Sequence, residues 1–247
     1  MDAHCFYFSE QDGYVVGGWI LALACAFMAL AAFPAQAGDA CGPGHMRNVE
    51  MRDGALVLRW EGRISQRMAA DIGAEFDRHK RMARTVTLAL TSCGGHGPYM
   101  DAAITELGFI KATHPLTTLI DRGALCSSAC VPIFLAGNRR VGALASLWFF
   151  HPAGRRVQQG IGITTRELSP EYTESIITRY FVPAGVSADW IQFMRRTIRD
   201  GDLWQTGRDL WESKSGILTE TLDNVESREE GPVDLPSSLA CGLVCRG

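Results

Sequence analysis

Residues 126–137 read CSSACVPIFLAG. Two serines and two cysteines run straight into an unbroken apolar segment, and the reading of this junction decides the fold. Small hydroxyls at the start of an apolar helix serve either as a cap for the free N–H groups or as a nucleophile held at the positive end of the helix dipole. A strand feeding such a junction belongs to an α/β chain, because helix and strand must then alternate about a shared sheet.

The flanking sequence supplies that alternation. Upstream, 116–121 (LTTLID) reads as a strand ending at Arg122-Gly123-Ala124-Leu125. The segment 85–90 (TVTLAL) reads as another, apolar enough to be buried on both faces, and 55–60 (ALVLRW) as one that alternates and stops at Gly62. Between the first two of these in chain order, Ser65 stands where a cap is expected, and Met68, Ala69, Ile72 and Phe76 recur at helical spacing. The 85–90 strand runs into Thr91-Ser92-Cys93-Gly94-Gly95-His96-Gly97, and a helix follows with Pro98 in its first turn. Downstream, 131–136 is apolar and reads as helical or buried, and 146–150 (SLWFF) reads as a strand that delivers His151. Ser169-Pro170 and Ser187-Ala188-Asp189 open two later helices, and Thr206 with Asp209 resembles a capping box. The expected fold is α/β, with a largely parallel sheet and right-handed crossovers.

The chain has 247 residues, 47% hydrophobic and 21% charged, which suits a globular domain. Residues 15–34 carry no charge, and Ala35-Gln36-Ala37 is a small-x-small pattern, so 1–37 reads as a secretory signal peptide. The run is also long enough to serve as an uncleaved membrane anchor. The stretch before it departs from the usual pattern, having three acids and no base. Asp2, Glu10 and Asp12 leave with this segment and no Lys or Arg does, so 24 acids face 24 bases in the remainder. That balance excludes nucleic acid as the main partner. Six cysteines remain: Cys41, Cys93, Cys126, Cys130, Cys241 and Cys245. An even number in an exported chain suggests disulfides, with the pairing open, and places the protein in the periplasm or outside the cell. No His pair stands at zinc spacing beside them, and neither metal nor cofactor is expected. The domain is expected to span 38–219, with 220–247 as an acidic, cysteine-containing tail.

In a parallel sheet, ligands gather at the carboxyl ends of the strands. Three polar motifs fall there: the Gly94-Gly95 turn, Ser127-Ser128, and His151. A serine becomes nucleophilic when a histidine takes its proton, and a glycine-rich turn can offer N–H groups to an oxyanion. The arrangement resembles the ClpP/crotonase superfamily, most of all the proteolytic subunit of Clp protease. Ser92-Cys93-Gly94-Gly95 stands for that family's Ser-Pro-Gly-Gly. Ser128-Ala129-Cys130 and Leu135-Ala136-Gly137 stand for its Ser-Met-Gly and the Ala-Gly closing the next helix. Phe150-His151-Pro152 stands for its His-Gln-Pro, one residue shorter. The resemblance covers about 55–219. It implies a spiral of βαβ units, Ser128 as nucleophile, His151 as base, and Asp202, or Asp200 beside it, as the group that orients His151. It also implies an oxyanion hole from the N–H groups of Gly95 (or Gly94) and Ala129. The implied function is an exported serine hydrolase, a peptidase acting on peptides or proteins through an acyl-enzyme, and self-association is expected.

Each feature has a plainer reading. Ser128 can simply cap its helix, His151 can be a structural histidine beside Trp148 and Phe149, Asp202 can be a surface carboxylate, and Ser127 can replace Ser128. The Arg139-Arg140 and Arg155-Arg156 pairs read as solvated. His96, beside the glycine turn, has no assigned role. The competing function is a non-catalytic binding or assembly module on the same scaffold; an acyl-CoA enzyme is disfavoured.

Overall fold

The computed structural model describes residues 41–158 and 164–229. Residues 1–37, read above as a signal peptide, and the cysteines at 241 and 245 lie outside the described residues, and so do the side chains of Arg155 and Arg156. Among the described residues, no helix is long and apolar enough to cross a membrane.

The main sheet is built from β1 (His45–Arg52), β2 (Ala55–Glu61), β3 (Thr85–Thr91), β4 (Leu116–Ile120), β6 (Arg139–Gly142) and β11 (Glu220–Thr221), adjacent in that order. β1 is antiparallel and all the other pairings are parallel. β2 alternates buried and half-buried residues, whereas β3 buries Val86, Leu88, Ala89 and Leu90. These are the patterns expected of a one-sided and a central strand. Helices α1 (Arg67–His79) and α2 (Gly97–Lys111) are the crossovers from β2 to β3 and from β3 to β4. Met68, Ile72 and Phe76 of α1 meet Ala103, Leu107 and Ile110 of α2 in one apolar core.

A second sheet, ordered β10 (Leu203–Thr206), β7 (Leu147–Phe150), β5 (Leu125–Ser127), stands beside the first. An isolated parallel bridge, Ser92 to Cys126, joins them, with Ser92 N–H donating to Leu125 O at 2.7 Å and Ser127 N–H to Ser92 O at 2.9 Å. The carboxyl end of β3 is thereby fixed against β5. α3 (Cys130–Leu135) follows, with all six residues buried, and Thr118 on β4 donates to Phe134 O at 2.6 Å, tying the end of α3 to the sheet. β8 (Gly154–Gln158) and β9 (Thr164–Leu168) form a separate antiparallel hairpin.

α4 (Pro170–Ile176) is capped by Ser169 and continues as a π-helical turn over Ile177–Phe181. α5 (Ala188–Asp200) is capped by Ser187. α6 (Gly207–Glu212) carries the complete Thr206/Asp209 capping box. Thr206 N–H and the Thr206 hydroxyl donate to the Asp209 carboxylate, both at 2.7 Å, and hold its pKa below the ordinary value. Stability from a depressed carboxylate is present above its unfolded pKa and is lost as pH falls through the folded one. Thr206→Ala is expected to cost about 1 kcal/mol at neutral pH, a cost that urea titrations should show shrinking once Asp209 is protonated.

Three expectations are corrected. Ser65 is not the cap of α1. That position is Gln66, without a side-chain bond, and the Ser65 hydroxyl is buried with no partner among the described residues. Ser65 meets the first turn of α1 through its carbonyl, which accepts Met68 N–H at 3.1 Å, while the Ile64–Gly95 bridge fixes the residue before it. The segment after 219 does not begin as a tail. β11 pairs with β6 and α7 (Leu222–Glu229) follows, with Glu220 paired to Arg139 and Asp223 to Arg122 at 2.8 Å each. Arg140 is not solvated: it is 8% exposed and donates to Ile217 O and Gly216 O, and burial lowers its pKa.

Two disulfides are present, Cys41–Cys93 and Cys126–Cys130. In the chain-entropy account the first, with a separation of 52 residues, stabilises by about 4 kcal/mol, and the second, with a separation of 4, by about 2 kcal/mol.

Candidate active site

β5 and β7 run parallel in the register Leu125–Leu147, Cys126–Trp148, Ser127–Phe149. Ser128 and His151 therefore leave the same end of neighbouring strands. The turn at Ser128 is unusual. Its φ is +55°, the left-handed region that an L-residue resists. Its N–H donates to Phe149 O at 2.9 Å, and its carbonyl accepts Val131 N–H at 3.0 Å. α3 starts two residues later, with Ala129 as its cap residue and no side-chain capping bond. Ser128 is thus not a helix cap. Ser127, 5% exposed on β5, does not line the cleft that Ser128 does.

That cleft, of about 140 Å³, is also lined by Gly95, Ala129 and His151. His151 is half-buried, with its ring 5.3 Å from that of Phe149. Its Nδ1 lies 2.8 Å from the Pro152 carbonyl oxygen. A carbonyl oxygen only accepts, so Nδ1 carries a proton, and in the neutral ring Nε2 is then the acceptor. This is the tautomer a general base requires, and the sequence reading missed its source. A backbone carbonyl leaves no residue-type signal.

The glycine turn closes the third side. Gly94 has φ +89° and lies against the serine turn: a Cβ there would stand 2.8 Å from Ser127 O and from Ser128 Cβ, and 3.4 Å from Ala129 N. Gly94 N–H is spent on the Ser92 hydroxyl at 3.1 Å. The N–H groups of Gly95 and Ala129 have no acceptor among the described residues. Of the two glycines offered by the sequence, Gly95 is the one with a donor to give.

Asp202 is exposed and stands one residue before β10. β10 pairs antiparallel with β7, Leu203 opposite Phe150, so Asp202 and His151 each stand one residue beyond the pair that ends the ladder. No hydrogen bond between their side chains is present among the described contacts. Asp200 ends α5, and its side chain lies outside the described residues. His96 is exposed and precedes α2 without a side-chain capping bond; its ring faces Tyr99 at 5.7 Å.

The deep wall of the cleft is apolar and comes from later elements: Ile177 and Phe181 of the π turn, and Met194 and Ile198 of α5. The π turn adds a residue per turn and swings both of its side chains inward, a distortion frequent at functional sites. Trp190, Ile191, Met194 and Ile198 recur at helical spacing, which is the signal that could have found this wall. Tyr172 lies in the same lining, its phenol pKa raised by burial first and by the Asp101 carboxylate second. Among the described residues, no group of His, Cys, Asp and Glu is placed to hold a metal.

No family model matches the chain, and no curated protein matches it in sequence. Solved structures do. A ClpP1 mutant from Listeria monocytogenes is 19% identical and superposes over 68% of this chain and 91% of its own, with a TM-score of 0.50. A mutant of the 1510-N membrane-bound stomatin-specific protease is 17% identical, over 69% of this chain and 80% of its own, with a TM-score of 0.55. The fold is ClpP-like. In this ClpP-like chain the glycine turn, the serine turn and His151 all open on one cleft, and the cysteines at 126 and 130 are joined across the serine turn.

Proposed function

We propose that the chain is a serine hydrolase, a peptidase that works through an acyl-enzyme. The observation that carries this reading is Ser128 at φ +55°, on a cleft it shares with His151 and with the N–H groups of Gly95 and Ala129. Backbone strain of this kind costs about 1–3 kcal/mol and persists where function needs it. In the reaction, Nε2 of His151 takes the Ser128 hydroxyl proton as Oγ attacks the scissile carbonyl. The oxyanion is held by the two free N–H groups. The tetrahedral intermediate then collapses, and His151 passes its proton to the leaving amine. A water molecule, activated by His151 in the same way, releases the acyl group. The ClpP-like fold supports a protease reading over other uses of the same three groups, and the apolar wall favours a large apolar side chain beside the scissile bond.

Asp202 is the third member of this reading, supported by its place one residue beyond the Leu203–Phe150 pair that ends the ladder, as His151 is on the facing strand. Because Pro152 already sets the resting tautomer, Asp202 acts only on the imidazolium. Asp202→Ala is therefore expected to lower kcat by about 10- to 100-fold, less than loss of a buried triad aspartate costs, as steady-state peptide hydrolysis would show. Disulfides support an oxidising compartment and hence export. Self-association is part of the same reading, and sedimentation of the purified chain tests it.

The deciding experiment is fluorophosphonate labelling of the folded, oxidised protein, with the adduct located by mass spectrometry. Labelling at Ser128 that requires His151 supports the hydrolase. No labelling of well-folded protein would overturn it in favour of a non-catalytic binding module.

A further inference from the structure

Ser128 holds a backbone conformation that serine does not choose, and something nearby must impose it. The two hydrogen bonds at the turn, Ser128 N–H to Phe149 O and Val131 N–H to Ser128 O, are 2.9 and 3.0 Å. They fix where the turn sits, and Gly94 lies against Ser127 O and Ser128 Cβ. A further constraint is covalent. Cys126, in the middle of β5, is joined to Cys130, the first residue of α3, with Ser128 midway between them. Both cysteines are wholly buried. Closing this short loop contributes about half as much to global stability as the Cys41–Cys93 bridge does, and its placement astride the serine turn adds a local effect. What it does constrain is the angle between the end of β5 and the start of α3, and only Ser127, Ser128 and Ala129 lie inside that constraint.

We propose that the Cys126–Cys130 disulfide is a positioning element of the active turn, holding Ser128 at positive φ so that its hydroxyl and the Ala129 N–H face the cleft together. The bridge touches neither substrate nor His151. It acts through the backbone of the residue it straddles, and the inference rests on the hydrolase reading only for its kinetic consequence. Displacement of about 1 Å at a reacting group is enough to cost some 100-fold in rate.

The test compares wild type, Cys126→Ala/Cys130→Ala, and Leu107→Ala. Leu107 is a fully buried side chain on α2 that does not line the cleft, so its truncation supplies a destabilised control. Each protein is labelled with a fluorophosphonate over a range of concentrations well below its melting temperature, and a crystal structure of the double variant is determined. The expected result is a saturating labelling rate at Ser128 lowered at least about tenfold in the double variant, with the half-saturating probe concentration little changed. Leu107→Ala loses melting temperature but labels at the wild-type rate. A folded double variant that labels at the wild-type rate would overturn the proposal. If wild type itself does not label, the hydrolase reading fails separately, and the backbone decides this one. Ser128 relaxed to negative φ in the double variant supports it, and Ser128 still near +55° sinks it.

Discussion

Ser128→Ala and His151→Ala are each expected to reduce peptide hydrolysis by about 10³-fold or more, without loss of fold. The two side chains act on one proton, so the Ser128→Ala/His151→Ala double variant should be no worse than either single one. Activities that multiply instead would mean the groups work independently, and the acyl-enzyme scheme would be wrong. Folding should survive both changes. Ser128 is only half-buried and its side chain caps no helix. His151 is half-buried at the cleft, with its ring against Phe149. Thermal melts should therefore stay close to wild type, and the loss should appear in kcat rather than in KM, because neither group forms the apolar wall.

The second large effect is expected at Gly94. Its φ of +89° costs a Cβ-bearing residue about 1–2 kcal/mol. The added methyl would also press on Ser127 O and Ser128 Cβ at 2.8 Å, which are backbone and turn atoms that cannot swing away. Overpacking of this kind adds about 1–3 kcal/mol. The strain is relieved by moving the glycine turn off the serine turn, which separates the Gly95 and Ala129 N–H groups. Loss of one oxyanion donor costs about 10²–10³ in kcat, so Gly94→Ala should be both destabilised and nearly inactive. Gly123→Ala is the comparison. Its φ is +71° but a Cβ there meets nothing within 4 Å, so it should lose only the backbone term and keep its activity. Equal effects at the two glycines, measured by urea unfolding and by hydrolysis, would show that the contact at Gly94 does not matter.

Much of the arrangement was legible in the chain. The alternation of 55–60 and the continuous apolar run of 85–90 gave the edgeward and central parallel strands, since burial on one or two faces leaves different periodicities. The caps at Ser169, Ser187 and Thr206 are local hydrogen bonds between residues three apart, so sequence spacing is enough to find them. The short strands were not legible. β6 spans four residues and β11 two, too short for any period to repeat. They are held by backbone pairing, β6 to β4 and β11 to β6, and by the buried Arg140 side chain on the Gly216 and Ile217 carbonyls.

The sequence by itself determined the α/β class, the order of strand, glycine turn, strand, serine turn, strand and histidine, and the residue types able to do acyl chemistry. Those are consequences of local pattern and of side-chain chemistry. Only the tertiary structure decided that Ser128 sits at positive φ and not at a helix cap, that Gly95 and not Gly94 keeps a free N–H, that the Pro152 carbonyl sets the His151 tautomer, and that Cys126 pairs with Cys130. Each of those depends on the backbone conformation that packing imposes on the chain, and a main-chain group carries no side-chain signature to announce its partner.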